Sequence, residues 1–204
     1  MKRALKLAVT GGIGSGKSVV CRMMEIFGVP VYNCDIKAKQ LMQSNAHLIK
    51  ELKRMFGSEC YNDDGTLNRA FLASRIFIDR ENVKRVNALV HPVVREDFEC
   101  WAAGQDTELV VVETAILYES GMIDSVDKAL VVWCDKETAI ARTIGRSGMS
   151  RAQVESRMQN QMLTDELLLL SDYSIYNGGN NSLFEELFEL FEQLKNISCF
   201  VKPI

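Results

Sequence analysis

Apolar and polar positions along this chain fall into two rhythms. Continuous apolar runs mark strands: Leu5-Lys6-Leu7-Ala8-Val9-Thr10, Val29-Pro30-Val31-Tyr32-Asn33, Leu109-Val110-Val111-Val112-Glu113, Lys128 to Cys134, and Asp172 to Tyr176. The third run is almost purely β-branched, which fits burial on both faces of a parallel sheet. Pro30 suits the first position of a strand. Between the runs the spacing turns helical. Ser18 to Phe27 predicts a helix closed by Gly28. Leu41, Leu48, Leu52 and Phe56 predict amphipathic helices, and Asn62-Asp63-Asp64-Gly65 predicts a turn. Asn68 is placed to cap a short helix through Ile76, and Asp79 one that begins at Arg80. At His91-Pro92 the proline is expected to break or kink that helix, with helix resuming to about Ala103. Asp135 is expected to cap a helix through about Arg146, and Ser150 to cap another. Leu183, Leu187, Leu190 and Leu194, with Phe184, Phe188 and Phe191, give the last helix a broad apolar face, read here as core packing.

The first third reads βαβ, the signature of an α/β fold with an open parallel sheet. Ligands gather at the C-terminal edge of such a sheet. Roughly 70 residues of mostly helix then separate the second strand from the third, far more than an ordinary crossover. This stretch, about 36–104, is read as an inserted helical subdomain that helps form the substrate site. No internal repeat interrupts the pattern.

Composition narrows the class. A chain of 204 residues, 47 % hydrophobic and 25 % charged, fits one globular domain with an insert. Three prolines and no low-complexity tract argue against long linkers. A net charge of −3 gives no global attraction to nucleic acid, so an anion site must be local. No apolar run approaches the roughly 18 residues of a membrane span. The basic start, Met1-Lys2-Arg3, leads into an apolar run too short for a signal peptide. The six cysteines, at 21, 34, 60, 100, 134 and 199, show no metal-binding spacing. They read as free thiols in a reducing cytoplasm. A cytoplasmic protein is therefore expected, with a small-molecule substrate, no nucleic acid and no membrane, as a monomer or weak homo-oligomer.

The chemistry starts at Gly11 to Ser18, GGIGSGKS, which fits G-x-x-x-x-G-K-[ST]. Glycines let the backbone curl so that N–H groups point at phosphate oxygens. Gly12, Ile13, Gly14, Ser15, Gly16, Lys17, Ser18 and Val19 would line a nucleoside triphosphate. Lys17 would neutralise the β- and γ-phosphates, and the Ser18 hydroxyl would ligate Mg²⁺. The helix that follows adds its positive N-terminal dipole. Asp35, one strand later, is placed either to accept a hydroxyl proton or to cap the next helix. Glu113 is either a carboxylate near Mg²⁺ or a solvated strand end. Arg142, Arg146, Arg151 and Arg157, with Gly145 and Gly148 between two helices, read as a lid over the phosphates, about 142–168. The competing reading is a solvated face laced with ion pairs. His47 and His91 alone read as structural, since neither has a second histidine nearby for metal binding. No guanine-reading N-K-x-D motif and no H-R-D kinase loop is present.

Taken in order, these segments resemble the dephospho-coenzyme A kinase family over nearly the whole chain. The resemblance rests on Thr10–Ser18, Asn33-Cys34-Asp35, Leu67-Asn68-Arg69, Asn87 to Pro92, Glu113 to Glu119, the arginines, Gln161 and Asn177-x-Gly179. It implies a three-layer P-loop kinase with a five-stranded parallel sheet, a helical acceptor-binding domain and a lid. It implies ATP-dependent phosphorylation of the ribose 3′-hydroxyl of dephospho-CoA, with ATP and Mg²⁺. In that picture Asp35 is the base, Lys17 and Ser18 hold phosphates and metal, and Arg142 clamps the moving phosphoryl group. Asn177 and Gly179 belong to the nucleotide side, and Arg69, His91 and Pro92 to the acceptor side. Some positions depart from the family pattern. Asn33 and Cys34 stand where Asp and Ala are usual, Ala115 replaces a proline, and Leu167 replaces a Lys or Arg. Tyr176 replaces an acidic residue. Two other classes remain compatible with the residues alone: a P-loop kinase of another alcohol, such as a nucleoside or a shikimate-like acceptor, and a nucleotide-switch ATPase.

Overall fold

The computed structural model describes residues 3–76, 78–179 and 182–198. Met1, Lys2, Asn180 and Cys199 lie outside the described residues.

Five strands form one sheet in the order β2-β3-β1-β4-β5. They are β1 (Leu5–Thr10), β2 (Val31–Asn33), β3 (Leu109–Glu113), β4 (Lys128–Trp133) and β5 (Tyr173–Tyr176). β1 lies parallel to β3 with Leu5 opposite Leu109 and Val9 opposite Glu113. It lies parallel to β4 with Leu7 opposite Lys128 and Thr10 opposite Val131. β4 and β5 are parallel with Trp133 opposite Tyr176. The register gathers the C-terminal ends of these strands along one edge. Leu7, Val9, Val111, Leu130 and Val132 form one core with Val20 and Met24 of α1 (Lys17–Ile26). The same core takes Leu187, Leu190 and Leu194 from α9 (Leu183–Ser198). Residues of opposite parity, Ala8, Val110, Val112, Ala129 and Val131, are equally buried, so helices cover both faces. That double burial is why the strands read as unbroken apolar runs. β2 is shorter than its run because Val29 and Pro30 only lead into it, although the Pro30 carbonyl still accepts from Val111 N–H. The apolar face of α9 is only partly core. Phe184 and Phe188 are exposed, and Phe184 and Phe191 pack on the ring of Phe27 at 5.7 and 5.5 Å.

The chain divides into two compact units. One holds Met1–Tyr32 and Trp101–Ile204, the other Asn33–Cys100. In the second unit, α2 (Cys34–Ser44) and α3 (Ala46–Phe56) are capped by Asn33 and Asn45, whose side chains accept from Ile36 and Leu48 N–H. A short 3₁₀ turn, Ser58–Cys60, leads to the turn at Asn62–Gly65, where Tyr61 bridges Leu67. The Gln43 side chain braces that turn, bonding Gly65 O at 2.9 Å and Leu67 N at 2.7 Å. Asn68 caps α4 (Arg69–Ile76) through Phe71 N, and Asp79 accepts from Glu81 N at the start of α5 (Arg80–Ala103).

α5 runs through Pro92 as one helix, so of the expected break or kink the break does not occur. A proline inside a helix removes one backbone bond and costs about 3 kcal/mol. Val86, Val90, Val94 and Phe98 recur every four residues on either side of it and are all buried. Their packing outweighs the local penalty.

Returning to the first unit, α6 (Lys136–Ser147) contains Gly145 within the helix, so only Gly148, at φ +68°, makes the turn. Asp135 stands at the N-cap of α6 but its side chain caps nothing. Its carboxylate accepts the Tyr176 hydroxyl instead. Ser150 and Gln153 form a reciprocal capping box on α7 (Arg151–Met158), and α8 (Thr164–Leu170) follows. Cys21, Cys34, Cys60, Cys100 and Cys134 are free thiols. Among the described residues no helix is long and apolar enough to cross a membrane.

Candidate active site

The glycine-rich loop sits where β1 ends and α1 begins, at the C-terminal edge of the sheet. Its glycines are required by both backbone and space. Gly14 and Gly16 adopt φ +77° and +95°, a region that L side chains rarely enter. A methyl group added at Gly14 would stand 2.2 Å from the Ala139 carbonyl oxygen, and one at Gly16 would stand 1.9 Å from Asn177 Nδ2. The Lys17 ammonium donates to the Gly11 and Gly12 carbonyls at 2.7 and 3.0 Å, folding the side chain back over the loop.

Asn177 is the hub on the opposite side of the loop. Its Nδ2 donates to Ser15 O at 2.9 Å, and its backbone N–H to Trp133 O at 2.7 Å. Its own carbonyl accepts from Arg142 Nη1 at 2.6 Å. One residue past β5 thus ties the loop, the end of β4 and Arg142 together. Gly16→Ala is expected to break this hub. The left-handed backbone alone costs about 1–2 kcal/mol for a residue with a Cβ. At this chain length that lowers the melting midpoint by about 2–4 °C per kcal/mol. Calorimetry should also show that ATP no longer raises the midpoint of the variant.

The loop fits a polyanion. The Ser15 and Thr10 hydroxyls are buried with no protein partner, so the Ser15 O–H beside the loop backbone awaits an acceptor. Among the described residues no three His, Cys, Asp or Glu side chains cluster to hold a metal by themselves. Mg²⁺ on phosphates needs only one or two protein oxygens. Ser18, the second residue of α1, and Glu113, the last of β3, are of the right chemistry. Both Glu113 and Lys17 act on the buried Cys21 thiol. Burial pushes that thiol far above its usual range, Glu113 adds to the shift and Lys17 opposes it.

The arginines separate. Arg151 is committed to ion pairs, with Glu137 at 2.6 and 2.9 Å and with Glu155 at 3.0 Å, as the solvated-face reading of the cluster had it. Arg142 reaches the Asn177 carbonyl, while Arg146 and Arg157 are exposed. A cavity of about 390 Å³ lies beside the loop, lined among others by Gly12, Ile13, Trp133, Met158, Gln161 and Leu167. Leu167 is buried there at 3 % exposure, so this position contributes an apolar wall and no phosphate contact. Tyr176 packs its ring on Trp133 at 4.6 Å.

The second unit carries Asp35, Arg69, His91 and Pro92. Asp35 is exposed in the first turn of α2. The cap of that helix is Asn33, which accepts from Ile36 N at 2.9 Å, so Asp35 is not spent on capping. Arg69 is the exposed first residue of α4. His91 is half-buried in α5, and burial holds its imidazole below its usual pKa; Pro92 follows it. Sequence reasoning gave no role to Gln161, whose side chain reaches Ile13, or to the Asp135–Tyr176 pair. No local signal links partners so far apart in the chain.

A profile of the dephospho-CoA kinase family matches residues 5–182. The chain belongs to the dephospho-CoA kinase family. The dephospho-CoA kinase of Salinibacter ruber is 39 % identical over 189 residues, spanning 91 % of this chain and 95 % of that one. The dephospho-CoA kinase of Bacteroides fragilis is 36 % identical over 188 residues, spanning 92 % and 91 %. Among solved structures, TT1252 from Thermus thermophilus superposes with a TM-score of 0.80 at 30 % identity, covering 96 % of this chain and 98 % of its own. The dephospho-CoA kinase from Campylobacter jejuni has the same fold, with a TM-score of 0.69 at 21 % identity, covering 93 % and 96 %. A shikimate kinase from Bacteroides thetaiotaomicron shares the fold more distantly, at 0.51 and 13 % identity over 94 % and 98 %. The fold is that of a P-loop kinase, and a dephospho-CoA kinase family member is an ATP-using phosphotransferase.

Proposed function

We propose that this chain transfers the γ-phosphoryl group of ATP to the ribose 3′-hydroxyl of dephospho-CoA, releasing CoA and ADP as the last step of CoA biosynthesis. The observation that carries the acceptor's identity is the family match, which runs from residue 5 to residue 182 and so spans both compact units. The loop geometry supports the nucleotide half: a curled glycine backbone, an unpartnered Ser15 hydroxyl and the Lys17 ammonium at one strand-to-helix turn.

The residues divide the work. The loop from Gly12 to Val19 cradles the phosphates, and Asn177 and Gly179 border the nucleotide. Lys17 and Arg142 neutralise charge that spreads over the phosphoryl oxygens during transfer. The helices of 142–168 act as the lid that excludes water, which would otherwise take the phosphoryl group. Residues 36–104 bind the acceptor, with Arg69, His91 and Pro92 among its contacts. The Asp35 carboxylate orients the 3′-hydroxyl and accepts its proton as the oxygen bonds to the γ-phosphorus and the bond to the ADP oxygen breaks. Ser18 would hold Mg²⁺, with Glu113 as a second candidate oxygen, and the metal would supply charge neutralisation on the phosphates.

The test is ADP release measured with a panel of acceptors. Dephospho-CoA should give turnover, while shikimate, nucleosides and water should give only background. Silence with dephospho-CoA would overturn the reading, and acceptor-independent hydrolysis would favour a switch ATPase.

A further inference from the structure

The turn between α7 and α8 touches the phosphate loop through one side chain. Gln161 Oε1 accepts the Ile13 backbone N–H at 2.9 Å. A methyl group added to Gly12 would sit 3.9 Å from that same oxygen, so the carboxamide lies against the Gly12–Ile13 peptide. The turn is held from a second direction. The next residue, Met162, donates its N–H to Glu119 Oε1 at 3.2 Å, in the loop after β3. Behind it, Val154 of α7 and Leu167 of α8 are buried, so the turn stands on packed helices.

The bond to Ile13 also fixes which way the carboxamide faces. A backbone N–H demands an acceptor, so the oxygen must face the Ile13 N–H, and the Nε2 amino group is left for another acceptor. Gln161 lines the cavity beside the loop, and Nε2 has no partner among the described residues. A neutral group with two free N–H donors beside a polyanion site is suited to binding phosphoryl oxygens, because hydrogen bonds to charged acceptors are the strong ones.

We propose that Gln161 bridges the loop and the nucleotide: Oε1 holds the Gly12–Ile13 peptide, and Nε2 donates to oxygens of the terminal phosphoryl group of the bound nucleotide. This rests on the nucleotide site described under the proposed function. A single side chain thereby reports the presence of a third phosphate to the α7–α8 turn and holds that turn against the loop while the group moves.

The experiment compares affinities for ATP and ADP by calorimetry in the wild type, Gln161→Leu and Gln161→Glu, with turnover of dephospho-CoA measured alongside. Leucine removes both functions of the carboxamide. Glutamate keeps an acceptor for Ile13 N–H and loses the donors. In Gln161→Leu the ratio of ATP to ADP affinity should shift against ATP by about tenfold, the scale of one hydrogen bond to a charged group, and in Gln161→Glu by more, since the carboxylate also repels the third phosphate. Only leucine should also lower the melting midpoint of the nucleotide-free protein. Equal weakening of ATP and ADP, or an unchanged ratio in both variants, would overturn the assignment, since a purely structural role would not discriminate the third phosphate. If the wild type itself fails to turn over dephospho-CoA, it is the acceptor reading that falls, whatever the ratio does.

Discussion

Replacing Lys17 with alanine is expected to lower kcat/KM by three orders of magnitude or more while leaving the fold intact. The magnitude follows from phosphoryl transfer, in which a charge clamp on the moving group contributes on the order of 10³–10⁵. The Lys17 ammonium donates to two loop carbonyls, at 2.7 and 3.0 Å. Both are neutral acceptors, so exchanging one for a phosphate oxygen adds the attraction of opposite full charges to the bond. Lys17→Arg should not restore activity. The planar guanidinium is wider than an ammonium and offers its donors in a fixed fork, so it does not reproduce the compact charge of the ammonium. Steady-state kinetics with ATP and dephospho-CoA, alongside melting curves, checks this. A variant that melts like the wild type and keeps a tenth of its kcat/KM would remove Lys17 from the centre of the mechanism.

Asp35→Asn is expected to lower kcat by about 10²–10⁴, the range for a positioned general base. ATP affinity and stability should stay near the wild-type values. The stability expectation comes from the structure: Asp35 is exposed, and the α2 cap that an aspartate there could have supplied is made by Asn33. Asparagine keeps the size and can still orient a hydroxyl, but it cannot take the proton at neutral pH. A pre-steady-state measurement isolates the chemical step. Near-wild-type kcat with intact ATP binding would remove Asp35 from that role, whereas a fall in ATP affinity alone would mark it as a binding residue.

Much of the frame was legible in the chain. The loop motif announces itself because its residue types are demanded by phosphate chemistry, and the strands because double burial leaves unbroken apolar runs. Asn68, Asp79 and Ser150 were readable as caps because each stands directly before the helix it starts. Other features depend on competition that local sequence does not resolve. Asn33 and Asp35 could each cap α2, and the path of the chain leaving β2 gave the bond to Asn33. Asp135 stands where a cap belongs, but the Tyr176 hydroxyl claims its carboxylate from the neighbouring strand end. Pro92 reads as a helix break until the buried stripe of Val86, Val90, Val94 and Phe98 is counted against it. The Gln161–Ile13 bond joins positions 148 residues apart, so although Gln161 is part of the family resemblance, its partner is not legible in the sequence. At Pro92, Asp135 and Gln161 contacts distant in the chain decide what the local sequence leaves open.

The most direct test is the identity of the product. The full chain is incubated with ATP, Mg²⁺ and dephospho-CoA, and the product is read by phosphorus NMR. The account predicts one new phosphomonoester, on the ribose 3′-oxygen, formed in equal amount to ADP. ADP without a new ester, or an ester at any other position, would contradict it.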